Sequence, residues 1–138
     1  MDTSALFHRE DVRQLRDDLA LALRAAAHHG LGEGVCNHMS CAIPQSEHFL
    51  LNPRGLLWGE VQGEDVVLVD QFGSKCEGRH EVEGTAMFIH GAVHRIAGKK
   101  CVLHTHSPYA TALTLTVARS LETRLSQNSM RFHGRATV

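Results

Sequence analysis

Asp65 to Asp70 encloses four consecutive apolar residues, Val66-Val67-Leu68-Val69. The run is short, β-branched and apolar at every position, and it ends in the turn signal Gln71-Phe72-Gly73-Ser74. Those features predict a buried strand, with Lys75 to Glu77 as a short return strand. Two further strands are expected upstream. Cys36 to Ile43 alternates weakly and stops at Pro44, and His48-Phe49-Leu50-Leu51 is broken by Asn52-Pro53-Arg54-Gly55. Helices flank this β-rich stretch. Residues 9 to 30 place Val12, Leu15, Leu19, Leu23 and Ala26 at three- and four-residue steps and end at Gly30. Glu81 to Ala97 carries the stripe Val82, Ala86, Ile89 and Val93. Cys101-Val102-Leu103 then reads as a short buried strand leading into His104-Thr105-His106. Ser107 as N-cap and Pro108 at the first helical position open a third helix through Ala110, Leu113 and Val117. Strands interleaved with helices indicate an α/β layered sheet, and the turn-linked central strands indicate that much of it is antiparallel.

The 138 residues suit one domain, and a 43% hydrophobic content supplies a core. With 21% charged residues and a net charge of −1, no bulk attraction to nucleic acid or membrane is expected. The N-terminus lacks the basic and apolar regions of a signal peptide, and no apolar run approaches the ~20 residues of a membrane span. A cytoplasmic protein is expected. Four cysteines, at 36, 41, 76 and 101, match no zinc-knuckle spacing and are expected to be free buried thiols.

Histidine is abundant, at eleven residues. His104 and His106 are separated by one residue at a strand end, so both imidazoles are expected to project from one face, beside a helix N-terminus. His-x-His supplies two ligands of a zinc site, which needs about three from the protein when catalytic. The plainer reading is that both cap local backbone groups. His90 and His94 stand at i and i+4 on the second helix, either near that pair or divided between core and solvent. Glu81 and Glu83 suit the start of a helix dipole, and a carboxylate there is also a candidate general acid or base. Asn37-His38-Met39-Ser40 and Asn52-Pro53-Arg54-Gly55 are polar clusters at strand edges. Either lines an anion pocket, with Arg54 offering a fork for phosphate or carboxylate, or serves ordinary turn chemistry.

In their order these segments resemble the class II aldolase/adducin family, to which fuculose-phosphate aldolase belongs. The residues are Gly34 to Ser40, Leu51 to Gly55, Val67 to Asp70, Ile89-His90-Gly91-Ala92-Val93-His94-Arg95 and Val102-Leu103-His104-Thr105-His106-Ser107. The helix motif and the Leu125 to Arg135 tail are closest to its adducin-like bacterial branch. The resemblance implies a three-layer α/β/α sandwich around a largely antiparallel sheet, with residues 1–138 as the N-terminal portion of one domain whose C-terminal part is missing. It implies His104 and His106 as ligands of zinc or another divalent metal. It also implies Asn37 and Gly55 in a substrate phosphate or carboxylate pocket, to which Arg54 and Thr85 are added as substrate-binding candidates. The chemistry implied is aldehyde-lyase cleavage or formation of a C–C bond in a small sugar-phosphate or hydroxy acid, through a metal-stabilised enediolate. Homo-oligomers, tetramers in the family, are implied as well.

Two departures accompany the resemblance. The family's catalytic glutamate stands four residues before the histidine matching His90, where this chain has Ala86, leaving Glu83 as the catalytic candidate. The family's third zinc histidine lies in a later segment, so a third ligand is sought from His90, His133 or a neighbouring subunit. Missing elements predict exposed apolar surface, and hence self-association or poor stability. The alternatives to a lyase are a non-catalytic binding module like the adducin head, or an inactive fragment of a longer enzyme.

Overall fold

The computed structural model describes residues 2–116 and 122–136, which divide into two units, Met1–Thr105 and His106–Val138. The first unit contains a five-stranded sheet in the order β4-β3-β2-β1-β5, antiparallel throughout. Its strands are β1 (His38–Ala42), β2 (His48–Leu51), β3 (Val67–Asp70), β4 (Lys75–Glu77) and β5 (Cys101–His104).

The unbroken apolar run follows from the layers. Along β2 and β3, Leu50 and Leu68 pack toward α1 (Thr3–His8) and α2 (Glu10–His28), with Leu6, Phe7, Val12, Leu19 and Leu23. Phe49, Leu51, Val67 and Val69 point to the opposite face, where Val82 and Ala86 of the α3 (Gly84–Ala97) region cover them. Both faces of the central strands are therefore dry, which requires apolar residues at every position. This is the expected three-layer α/β/α arrangement.

The expected elements are present with shifted ends. The long helix is preceded by a separate short one, α1, capped by the Asp2 carboxylate on Ser4 N–H and ended by the extended backbone of Arg9. Val66 closes a 3-10 turn, Gly63–Asp65, rather than starting β3. The loop after β4 is pinned by buried Asp65, whose carboxylate receives Arg79 Nη2 at 2.5 Å and His80 Nε2 at 2.8 Å. The cysteines are free, as expected, but none is buried: Cys36 and Cys101 are exposed and Cys41 and Cys76 intermediate. Cys101 sits on the end strand of the sheet, on a side where its neighbour-but-one, Leu103, is also exposed.

In the second unit α4 (Pro108–Thr114) starts with Pro108 in its first turn, and Ser107 occupies the N-cap position without a side-chain capping bond. Val117, expected in that helix, lies outside the described residues. α5 (Gln127–Met130) opens with a Ser126–Ser129 capping box at its N-terminus. Thr123 is buried, with its Oγ1 3.2 Å from His133 Nδ1. No described helix is long and apolar enough to cross a membrane.

Candidate functional site

The register of β1 against β5 sets His38 directly opposite His104. Their ring centroids are 5.3 Å apart, with the planes inclined by 31°. Residues two apart on a strand share a face, so Ser40 points the same way as His38. α3 packs over this face and brings His90 and His94, one turn apart. His90 is fully buried, and its ring meets that of His38 edge-on at 5.9 Å.

Ser40 links the two helix histidines. Its Oγ lies 2.5 Å from His90 Nδ1 and 2.8 Å from His94 Nε2. His94 Nδ1 is 2.6 Å from Lys99 O, a carbonyl that only accepts, so Nδ1 carries the proton. In neutral His94, Nε2 then accepts from the Ser40 hydroxyl, and Ser40 Oγ in turn accepts from His90 Nδ1–H. That relay leaves a lone pair on His90 Nε2, a buried atom with no hydrogen-bond partner among the described residues. Burial, with the neighbouring His38, His94 and His104, pushes His90 down to about 4, so it is neutral near pH 7.

Glu83 is the N-cap of α3. Its carboxylate accepts from Ala86 N–H over 2.8 Å, and Oε2 lies 3.8 Å from His38 Nε2. The hydrogen bonds from the Ala86 backbone and from Thr85 hold it below the usual glutamate range against the opposing effect of burial. Ala86, at the position where the family pattern has glutamate, is buried in the core against the sheet.

Asn37 is buried just before His38. Its Oδ1 accepts from Glu33 N–H at 2.6 Å, and its backbone carbonyl accepts from Trp58 Nε1 at 3.1 Å. Its Nδ2 is buried without a partner among the described residues. Asn52 ties this loop to the next, accepting from Met39 N–H at 2.8 Å. Exposed Arg54 donates its backbone N–H to Glu81 O at 2.7 Å, which draws the Asn52–Gly55 turn to the approach of α3. Gly55 takes φ +89°, a conformation L side chains resist. Thr85 is exposed in the first turn of α3.

The structure thus gathers Glu83, His90 and His104 around His38, and joins the Asn37 and Arg54–Gly55 loops to the elements that carry them. His106 is different. β5 ends at His104, so His106 is two residues beyond the strand, exposed, at the start of the second unit. Strand pleating therefore does not place it beside His104, contrary to the expectation from the i, i+2 spacing. Sequence reasoning named His38 and Ser40 only within the Asn37–Ser40 polar cluster and gave neither a role of its own. Only the pairing of β1 with β5 shows which face they share and what it meets. The donors present, imidazoles including a buried unpartnered nitrogen, have the chemistry of a zinc-type site. Among the described residues, however, no three His, Cys, Asp or Glu side chains are placed to hold an ion.

Residues 17–138 match the family described as Class II Aldolase and Adducin N-terminal domain. A Pseudomonas aeruginosa protein, named provisionally as an aldolase class 2 protein, is 35% identical over 119 residues, covering 85% of this chain and 45% of that one. An adducin-related protein of Schizosaccharomyces pombe is 32% identical, covering 83% of this chain and 37% of that one. Among solved structures, an aldolase II superfamily protein from Pseudomonas syringae superposes with TM-score 0.81 at 31% identity, covering 89% of this chain and 50% of that one. L-fuculose 1-phosphate aldolase from Glaciozyma antarctica gives TM-score 0.75 at 29% identity, covering 88% and 51%. The chain spans between 37% and 51% of the length of these relatives.

Proposed function

Because the chain belongs to the class II aldolase and adducin family, we propose that it carries the metal-binding half of an aldehyde-lyase acting on a small sugar-phosphate or hydroxy-carbonyl substrate. The observation that carries this reading is the histidine cluster itself: His104 is paired with His38 at the sheet end, over a buried neutral His90. His104 would be a ligand of a divalent ion, zinc by preference, with His106, His90, His133 or a second copy of the chain as the sources of the remaining donors. A divalent ion, when bound, supplies Lewis-acid charge beside a carbonyl and so eases cleavage of the adjacent C–C bond.

The chain's own residues do the rest. Glu83, ionised and fixed at the α3 N-terminus, takes and returns the substrate proton at Oε2. Asn37 turns its unpartnered Nδ2 to a substrate oxygen. Arg54, Gly55 and Thr85 bind the phosphate or carboxylate, Arg54 through its planar fork. The protein works as a cytoplasmic homo-oligomer.

The test is retro-aldol cleavage of a panel of small ketose phosphates with added Zn2+ or Mn2+, read by aldehyde release. The proposal expects turnover that falls at least about 100-fold in His104→Ala, as loss of a metal ligand does. No turnover with any substrate in parent or variant contradicts it.

A second reading has its own observation. Ala86 stands in the core where the family pattern has the catalytic glutamate, and the Glu83 carboxylate is engaged as a helix cap. This favours a binding module that keeps the ion without turnover. Bound metal with no cleavage across the panel would select it.

A further inference from the structure

Cys41 and Cys101 lie opposite each other on β1 and β5, three residues along from the His38–His104 pair. The adjacent pair, Ala42 and Lys100, is hydrogen-bonded, with Ala42 N–H donating to Lys100 O at 2.7 Å. Bonded and non-bonded pairs alternate along an antiparallel ladder. Cys41–Cys101 is therefore a non-bonded pair, where Cα atoms approach to about 4.5 Å and side chains are closest. The two Sγ atoms are 3.9 Å apart. A disulfide needs Cα atoms about 4.4–6.8 Å apart, so rotation of the two side chains closes the gap without moving a strand. Cys101 is exposed and Cys41 only partly so. The other cysteines are elsewhere: Cys36 precedes β1, and Cys76 is on β4 at the far side of the sheet.

We propose that Cys41 and Cys101 form a reversible cross-strand disulfide, a redox modification site oxidised by a hydroperoxide. The Cys101 thiolate attacks the terminal oxygen of ROOH. The O–O bond breaks, RO− leaves and takes up the proton lost when Cys101 ionised, giving ROH, and Cys101 becomes a sulfenic acid. The Cys41 sulfur then attacks that sulfur, the S–O bond breaks, and the hydroxyl leaves as water with the Cys41 proton. Two thiols and ROOH give one disulfide, ROH and H2O; the sulfurs lose two electrons and the peroxide gains them. Burial and the adjacent Cys101 push the Cys41 thiol up to about 11, which suits the resolving rather than the attacking role. A dithiol restores both thiols by exchange. The bond staples β5, paired with β1 alone among the described residues, to the rest of the sheet.

The experiment exposes the reduced 138-residue chain to stoichiometric hydrogen peroxide, blocks free thiols by alkylation and maps peptides without reduction. The expected result is a linked Cys41–Cys101 peptide pair within one chain, with Cys36 and Cys76 alkylated. The oxidised chain is expected to melt about 5 °C or more above the reduced one, because the cross-link restricts the unfolded chain. Dithiothreitol should abolish the difference, and Cys101→Ser, at an exposed position, should not show it. Alkylation of both cysteines after peroxide, over-oxidation of Cys101 beside a free Cys41, or a link only between chains would overturn the proposal.

Discussion

His90 enters the fold neutral, and acid must work against that. It titrates at about 4 in place of 6.5, so the unfolded chain takes up the proton first. Stability tied to His90 is whole above pH 6.5 and is lost as pH falls toward 4. At about 1.4 kcal/mol per unit, the loss is roughly 3 to 4 kcal/mol. Urea denaturation of chelator-treated protein at pH 7 and pH 4.5 should show it, and His90→Gln should flatten most of the slope. Glu83 carries a second prediction, because substitution separates its cap from its proposed chemistry, although both use Oε2. Glu83→Ala should lower stability by about 1 kcal/mol, measured from the urea midpoint, as loss of an N-cap does. Glu83→Gln keeps an acceptor oxygen for Ala86 N–H and should retain most of that stability, yet abolish any cleavage. The i, i+4 spacing put His90 and His94 on one helix face, and both reach Ser40 there, but it left open that His90 is the one wholly in the core. The role of His38 was not readable, because it depends on a strand more than sixty positions away in sequence.

At the scale of elements, the central strands were legible and the ends were not. An apolar run between turn signals locates β3 whatever surrounds it. β5, by contrast, extends to His104 because the ladder with His38 takes in a polar residue that no apolar pattern marks. α1 escaped notice because six residues are too few to display a helical period. α3 starts at Gly84, three residues later than its apolar stripe implied, since Val82 packs into the core ahead of the cap. How closely α3 lies on the sheet is fixed by Gly91, where an added Cβ would sit 3.1 Å from the Gln71 carbonyl oxygen. Backbone cannot swing aside as a side chain does. Gly91→Val should therefore lift the helix at a cost of about 1–3 kcal/mol. Unchanged thermal stability in that variant would show that the helix has room to move.

For the whole molecule, the layered class was readable because both faces of the central strands had to be covered. Several large apolar residues are exposed. Phe88 and Ile96, 67% and 77% exposed, lie on one side of α3, and Phe72 is 67% exposed. If the proposed oligomer forms through this helix face, Phe88 and Ile96 would be buried in it. Sedimentation velocity across a concentration series should show self-association, reduced in a Phe88→Lys/Ile96→Lys variant. A monomer at all concentrations, with no binding of an apolar-surface dye, would contradict it.

The central claim is that the His104–His106 segment holds a divalent ion, and metal content tests it most directly. The purified chain would be loaded with Zn2+, dialysed and assayed by elemental analysis beside a His104→Ala/His106→Ala variant whose folding is checked by circular dichroism. Near-stoichiometric zinc in the parent and none in the folded variant is the predicted result. Zinc absent from the parent, or retained equally by the variant, would contradict the assignment.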